Sequence, residues 1–584
     1  MIRLLLLCLY LSATIPANSQ GFLKASGKKI LNGKGEEVLL RGMGLGGWML
    51  QEPYMLRLSG VAPTQGAIRQ KITELVGTEK TAQFYEAWLA NHCRRADIEA
   101  MARWGFNSVR LPMHYNLFTP PIEEEPVPGQ ITWQEKGFQM VDSLLDWCRD
   151  NKVYLILDLH AAPGGQGNDN AIADRDPSKP SLWDSEANKQ KTVALWRKLA
   201  ERYKGEEWIG AYDLINEPNW GFQNRDDKNG CAEAGNAPLR ALMVDITKAI
   251  REVDQNHIII IEGNCWGNNY KGVFPLWDNN TVISFHKYWN YNDTGSIKGM
   301  LDTREEQNAP IWLGESGENS NAWFTDAITL LESNKIGWAW WPLKKLGHNN
   351  PLQIKQNKDY EAILAYWKGQ GPKPTEKVAF QGLMQLANDL RIENNITHHS
   401  VVDAMFRQVG SQETVPFKKL IVSNTTTVYA VDYDMGRVGQ AYHDSDYANY
   451  RVSTNKNVEW NKGHLYRNDG VDIKACTDGG SNGYAVGWIR EGEWLQYTLE
   501  VPASGTYQLQ LRTAADSTSG AVDVLLNGSP VQRNLPLVKG AKGKWQYTTA
   551  KPIALKKGIN KLRIYAVTGG FDFNQIKLTK APRA

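Results

Sequence analysis

Val153-Tyr154-Leu155-Ile156-Leu157-Asp158-Leu159-His160 reads as a single strand of a parallel sheet. Its apolar residues barely alternate with polar ones, which fits a strand covered on both faces. The amphipathic stretch Phe138–Asn151 precedes it and Glu186–Tyr203 follows, so the strand is flanked by helices. The same alternation recurs in both directions along the chain. Runs at Val38–Leu45, Ser108–Met113, Ala211–Asn216, His257–Glu262, Val282–His286, Ile311–Glu315 and Ile336–Trp341 bring the total to eight. Eight strand–helix units predict a closed (β/α)8 TIM barrel over an open sheet. The fifth and sixth units are cramped, with little room for a full helix between their strands.

The ends of these runs carry the chemistry. Read to their C-terminal edges, they give Arg110, His160, Asn216-Glu217, Glu262, His286, Glu315 and Trp341. One or two such residues would serve as caps. This many converging on one rim predict an active site, because barrel enzymes place their chemistry at that face. Leu214-Ile215-Asn216-Glu217-Pro218 closes the fourth strand and Leu313-Gly314-Glu315-Ser316-Gly317 the seventh. Those strands lie across the barrel from each other, so the two carboxyls can face one bond. Glycosidic bond cleavage needs such a pair, one protonated and one ionised. Glu318 reads as a solvated loop charge, and Glu262 as a brace for the rim.

The chain has 584 residues, too many for one core, and its net charge of +3 leaves no footprint for nucleic acid. Its 22 Trp and 23 Tyr exceed what large cores need and suit the flat apolar faces of sugars. Arg3, the apolar run Leu4–Leu11 and Ala17-Asn18-Ser19 predict a secretory signal peptide over 1–19 and an exported protein. No run is long enough to span a membrane. Cys93 and Cys148 read as buried thiols, and Cys231 with Cys265 as the one pair to consider for a disulfide. The barrel is expected over 20–410, with Ala379–Gln408 helical and packed back on it. Residues 411–427 read as a linker, and 428–584 as an all-β jelly-roll sandwich of short, turn-punctuated strands.

These barrel motifs together resemble glycoside hydrolase family 5, from about Gly21 to Lys368. The resemblance implies a retaining hydrolase with Glu217 as acid/base and Glu315 as nucleophile. It also implies that Asn216 bonds the sugar 2-hydroxyl and that Arg110 keeps the nucleophile ionised. His160, His286 and Tyr288 would surround the −1 sugar, and Trp341 would form its floor. Arg41-Gly42-Met43-Gly44-Leu45-Gly46-Gly47-Trp48 with Glu52-Pro53, and Asp158-Leu159-His160-Ala161-Ala162-Pro163-Gly164-Gly165-Gln166, resemble the exo-β-1,3-glucanases of that family. In them Glu52 and Asp169 would grip the terminal glucose. The implied partner is a β-1,3- or β-1,4-linked glucan, polysaccharide or oligosaccharide, with mannan or xylan as alternative substrates. A non-catalytic sugar receptor is the alternative from another class. No cofactor for catalysis and no protein partner are expected.

Ala441-Tyr442-His443-Asp444, Gly470-Val471-Asp472-Ile473 and Ala485-Val486-Gly487-Trp488-Ile489 resemble family 6 carbohydrate-binding modules, with an extra stretch at Ser453–His464. The resemblance implies sugar binding by Trp488, Trp545 and Asp572, with Trp494 and Tyr497 in the core. It also brings a structural calcium, against which stand Tyr429-Ala430-Val431 in place of the opening Glu-Ala-Glu, and Asn574 at a late acidic position.

Overall fold

The computed structural model describes residues 20–515, 520–540 and 543–582; the expected signal peptide lies outside them. Eight strands form the barrel: β1 (Arg41–Gly44), β2 (Ser108–His114), β3 (Tyr154–Ala161), β4 (Ile209–Asp213), β5 (Ile258–Ile261), β6 (Thr281–Lys287), β7 (Ile311–Gly317) and β8 (Gly337–Trp341). They are parallel and in sequence order, and β8 closes on β1. Between β5 and β6 there is only the short turn Asn264–Gly267, as the cramped spacing required.

Period-two alternation sorts each strand's side chains into two environments. Leu155, Leu157 and Leu159 of β3 face the helices and join the large outer core. Tyr154 and Ile156 face inward and pack with Ala211, Ile258, Ile260, Val282, Trp312 and Ala339. Leu23 and Ile30, from the hairpin Lys24–Ser26/Lys29–Leu31 and the residue before it, complete that cluster. The next inward positions of β3 are Asp158 and His160. The barrel interior is therefore apolar at its base and ionisable towards the C-terminal ends of its strands.

After the barrel, helices Lys358–Trp367 and Glu376–Asp389 bury Tyr360, Ile363, Leu383 and Leu386 against Ile68, Ile72, Phe84 and Trp88 of helix Gln65–His92. The helix His399–Met405 lies on the barrel, where Thr325 donates to the carbonyl of Ala404 at 2.8 Å. Both segments pack back on the barrel through apolar faces.

The second unit is a β-sandwich. One sheet is built on Trp494–Val501, Gly558–Thr568, Ala521–Leu526 and Ser529–Pro536; the other on Tyr484–Val486, Phe571–Lys580, Gly505–Ala515 and Gln546–Thr549. Residues 411–427 are not a free linker. Leu420–Ile421 pairs with Leu499–Glu500, and Thr425–Tyr429 runs antiparallel to Gln575–Thr579. The Thr run that suggested a tether is β-branched, and such residues suit an edge strand. Trp494 and Tyr497 are buried in the sandwich, as expected of core residues.

Candidate active site

The ionisable layer is organised by Arg110 of β2, which is fully buried. Its guanidinium donates to Asp213 Oδ2 (3.0 Å), Glu315 Oε1 (2.6 Å), Asn216 Oδ1 (2.8 Å) and Glu262 Oε1 (3.1 Å). Asp158 lies 3.3 Å away. A cation so buried persists only because several carboxylates surround it, and they keep it charged. Asp158 and Asp213 are themselves pushed well above the usual carboxylate range, first by burial.

His160 fixes the orientation of Asn216. Burial holds its imidazole neutral, with a pKa of about 3. Its Nδ1 lies 2.7 Å from Asp158 Oδ2, so that nitrogen carries the proton, and Nε2 accepts from the Asn216 amide at 3.3 Å. The Asn216 oxygen is then left for Arg110. Gln166 donates to the carbonyls of both His160 and Asn216, tying the ends of β3 and β4 together.

Glu217 and Glu315 meet across the barrel. Carboxylate oxygens of the two and a nitrogen of His286 all lie within 4.8 Å of one another. His286 Nδ1 is 2.6 Å from Glu217 Oε1, and its Nε2 is 3.2 Å from Glu262 Oε1. The Tyr288 hydroxyl donates to Glu315 Oε2 at 3.2 Å. Burial raises the pKa of Glu217 to about 7; His286 opposes the rise and the charge of Glu315 adds to it. Burial also acts upward on Glu262, but His286 and Arg110 outweigh it and hold the group at about 2. His286 stays protonated well above its ordinary value, because three carboxylates outweigh its burial. The site therefore holds one carboxyl poised to donate a proton beside one bound by Arg110 and Tyr288.

The first-strand glycines serve the floor. Trp341 stacks on His160 with ring centroids 5.1 Å apart, and its indole N–H donates to the Tyr54 hydroxyl at 3.0 Å. A β-carbon at Gly44 or Gly46 would lie 2.5 or 2.7 Å from that indole, so this stretch makes room for the tryptophan. Glu52 is buried beside Glu315, Glu318, Glu217 and Asp169; burial, then those charges, push its carboxyl well above the usual range. Asp169 is part-buried, with its backbone N–H on Asn219 Oδ1 at 2.7 Å. The structure thus brings Arg110, His160, Asn216, Glu217, His286, Tyr288, Glu315, Trp341, Glu52 and Asp169 together. Cys231 and Cys265 are bridged, with Cα atoms 4.7 Å apart, joining the loops after β4 and β5.

Two readings change. Glu318 is not a solvated charge: it follows β7 with φ 52 and pairs with Lys345 at 2.7 Å beside Tyr54. Glu262 does more than brace the rim. It accepts from the backbone N–H of Glu217 at 2.8 Å and holds His286 and Arg110 as well. Sequence reasoning assigns no role to Asp158, Asp213 or Tyr54. An aspartate inside an otherwise apolar strand, as at Asp158 and Asp213, was the available signal.

In the sandwich, Trp488 is 45% exposed. Lys474 lies 4.9 Å over its ring and bonds Asp572 at 2.6 Å. Asp572 is opposite Ala514, and Gln546, the neighbour of Trp545, is opposite Thr513, so all three predicted residues fall at one end of one sheet. Arg512 lies 5.6 Å from the Trp545 ring. The calcium positions do not fit a hard cation, which needs several oxygen ligands. Val431 is buried and apolar, and Asn574 Oδ1 accepts from Arg512 at 3.1 Å.

Residues 69–347 match the cellulase family (glycosyl hydrolase family 5), and 464–580 the family 6 carbohydrate binding module. The chain is 26% identical over 379 residues to a beta-xylosidase of Phanerodontia chrysosporium, covering 59% of this chain and 75% of that one. It is 28% identical over 313 residues to endoglucanase C of Acetivibrio thermocellus, covering 43% and 83%. A probable glucan 1,3-beta-glucosidase A of Neosartorya fischeri is 25% identical over 288 residues, covering 47% and 64%. Among the described residues no helix is long and apolar enough to cross a membrane.

Proposed function

We propose, for a chain that carries a glycosyl hydrolase family 5 domain and a family 6 carbohydrate binding module, that it is a secreted retaining β-glucanase acting on β-1,3- or β-1,4-linked glucose. The observation that carries this reading is the facing of Glu217 and Glu315, whose nearest oxygens lie within 4.8 Å. Retaining hydrolases hold their carboxyls about 5–5.5 Å apart, too close to seat a water between them. Glu315 attacks the anomeric carbon while Glu217 protonates the departing oxygen. In the second step Glu217, now ionised, takes a proton from the water that releases the sugar. Asn216 is presented to the 2-hydroxyl, Trp341 carries the apolar sugar face, and Glu52 and Asp169 receive the outer hydroxyls.

Initial rates on laminarin, barley glucan, cellulose, mannan and xylan test the substrate assignment. A glucan should be the preferred substrate; preference for xylan would instead favour the second reading, which the similarity to a beta-xylosidase supports.

The titration of Glu217 gives a pH prediction. The first step needs it protonated, so kcat/KM should fall as pH rises through about 7. The positive imidazole of His286 favours the ionised form of Glu217, so His286→Ala should move this limb to higher pH. A limb that stays in place or moves down would count against the assignment.

The sandwich is proposed to hold glucan on Trp488, Trp545 and Asp572. Stacking a sugar on each ring contributes on the order of 1–3 kcal/mol. Trp488→Ala and Trp545→Ala in the full chain should each lose retention in glucan-containing native gels, with thermal stability unchanged. Retention equal to that of the parent chain in both variants would remove the binding role.

A further inference from the structure

We infer that the second domain is built into the active site, where Arg451 acts as a positioning residue for Tyr288 by clamping Trp289. The inference rests on the reading of Glu315 as nucleophile, since Tyr288 is the hydroxyl that meets it.

Trp289 has φ 55, in the left-handed region, which is costly for a bulky residue and persists only where surroundings enforce it. Three contacts do so. Its indole N–H donates to the Glu318 carbonyl at 3.0 Å. Its own carbonyl accepts from the Val452 N–H at 3.1 Å. The Arg451 guanidinium lies 3.7 Å from its ring centroid. The last two come from the second domain. The Trp289 ring in turn packs against Tyr288, with centroids 5.2 Å apart. An unbroken line of contacts thus runs from Arg451 through Trp289 and Tyr288 to Glu315.

The segment carrying Arg451 is fixed to the barrel. Asn319 donates to the Asn449 carbonyl at 2.7 Å and accepts from its N–H at 3.0 Å. The Asn321 N–H donates to the Asn468 carbonyl at 2.9 Å, and its amide to Asp469 at 2.9 Å. Ser453 accepts from the Tyr291 N–H at 2.9 Å. Asn319, Asn321 and Asn468 are buried, and parting the domains would leave each with unmet polar groups unless water reached them. A flexible tether makes no such seam. The extra stretch Ser453–His464 belongs to it, with Trp460 donating to Asn468 at 3.1 Å.

Arg451→Ala, Arg451→Lys and Ser453→Ala in the full chain test the inference. An activated 2-deoxy-2-fluoro glycoside of the sugar that the parent enzyme releases serves as probe, and intact mass reports labelling. In Arg451→Ala, labelling and kcat should both fall about tenfold, with KM and thermal midpoint little changed. Lysine should restore most of the loss because it keeps a cation over the ring. Ser453→Ala, which removes one of the bonds between this segment and the barrel but keeps the cation, should show a smaller fall of the same kind. Labelling of Arg451→Ala at the parental rate overturns the inference alone, as does a loss that lysine leaves unrepaired. A parent enzyme that takes no label overturns the nucleophile assignment and this inference with it.

Discussion

Glu315→Ala is expected to lower turnover by on the order of 10^4- to 10^6-fold, as removal of a covalent nucleophile does. Stability should hold, because Arg110 still has Asp158, Asp213 and Glu262 around it. The vacated side of the sugar should then accept azide and yield an α-glycosyl azide from a β-linked substrate, inverted relative to it. Initial rates with and without azide check this. Turnover within tenfold of the parent, or a β-azide product, would assign the nucleophile elsewhere.

Arg110→Ala should have the second-largest effect, and on stability as well as rate. It strips the counter-cation from four carboxylates at once, and breaking a buried ionic cluster costs about 3–5 kcal/mol. Thermal unfolding of the barrel should shift down accordingly, and turnover should fall to background. Arg110→Lys should recover part of the stability but little activity, since a point charge cannot reach Asp213, Asn216, Glu262 and Glu315 together. The deficit in the alanine variant should narrow as pH falls, because Asp158 and Asp213 protonate well above the usual range and then need no cation. A lysine variant with parental kinetics would contradict this organisation of the site.

Much of this layer was legible in the sequence because strand periodicity delivers it. His160, Glu217, His286 and Glu315 lie at or near the ends of buried runs, and a closed barrel brings strand ends together whatever the loops do, while Arg110 reaches the same layer from inside β2. Asp158 was equally available, two residues before His160 and on the same face. Tyr54 and the true setting of Glu318 depend on how loops fold over the rim, which no periodicity encodes. The same holds for residues 411–427, where polar composition concealed paired edge strands. The seam through Asn319 and Asn449 joins residues 130 positions apart by side-chain amides, a pairing that local pattern does not reveal.

The stereochemistry of the first product tests the central claim most directly. Hydrolysis of the preferred β-linked oligosaccharide, followed by proton NMR from the first minutes, resolves the new anomeric signal before mutarotation. The two-glutamate double displacement predicts that the β-anomer appears first and the α-anomer only as mutarotation proceeds. An α-anomer formed first would mean single displacement by water, and would contradict the roles given to Glu217 and Glu315.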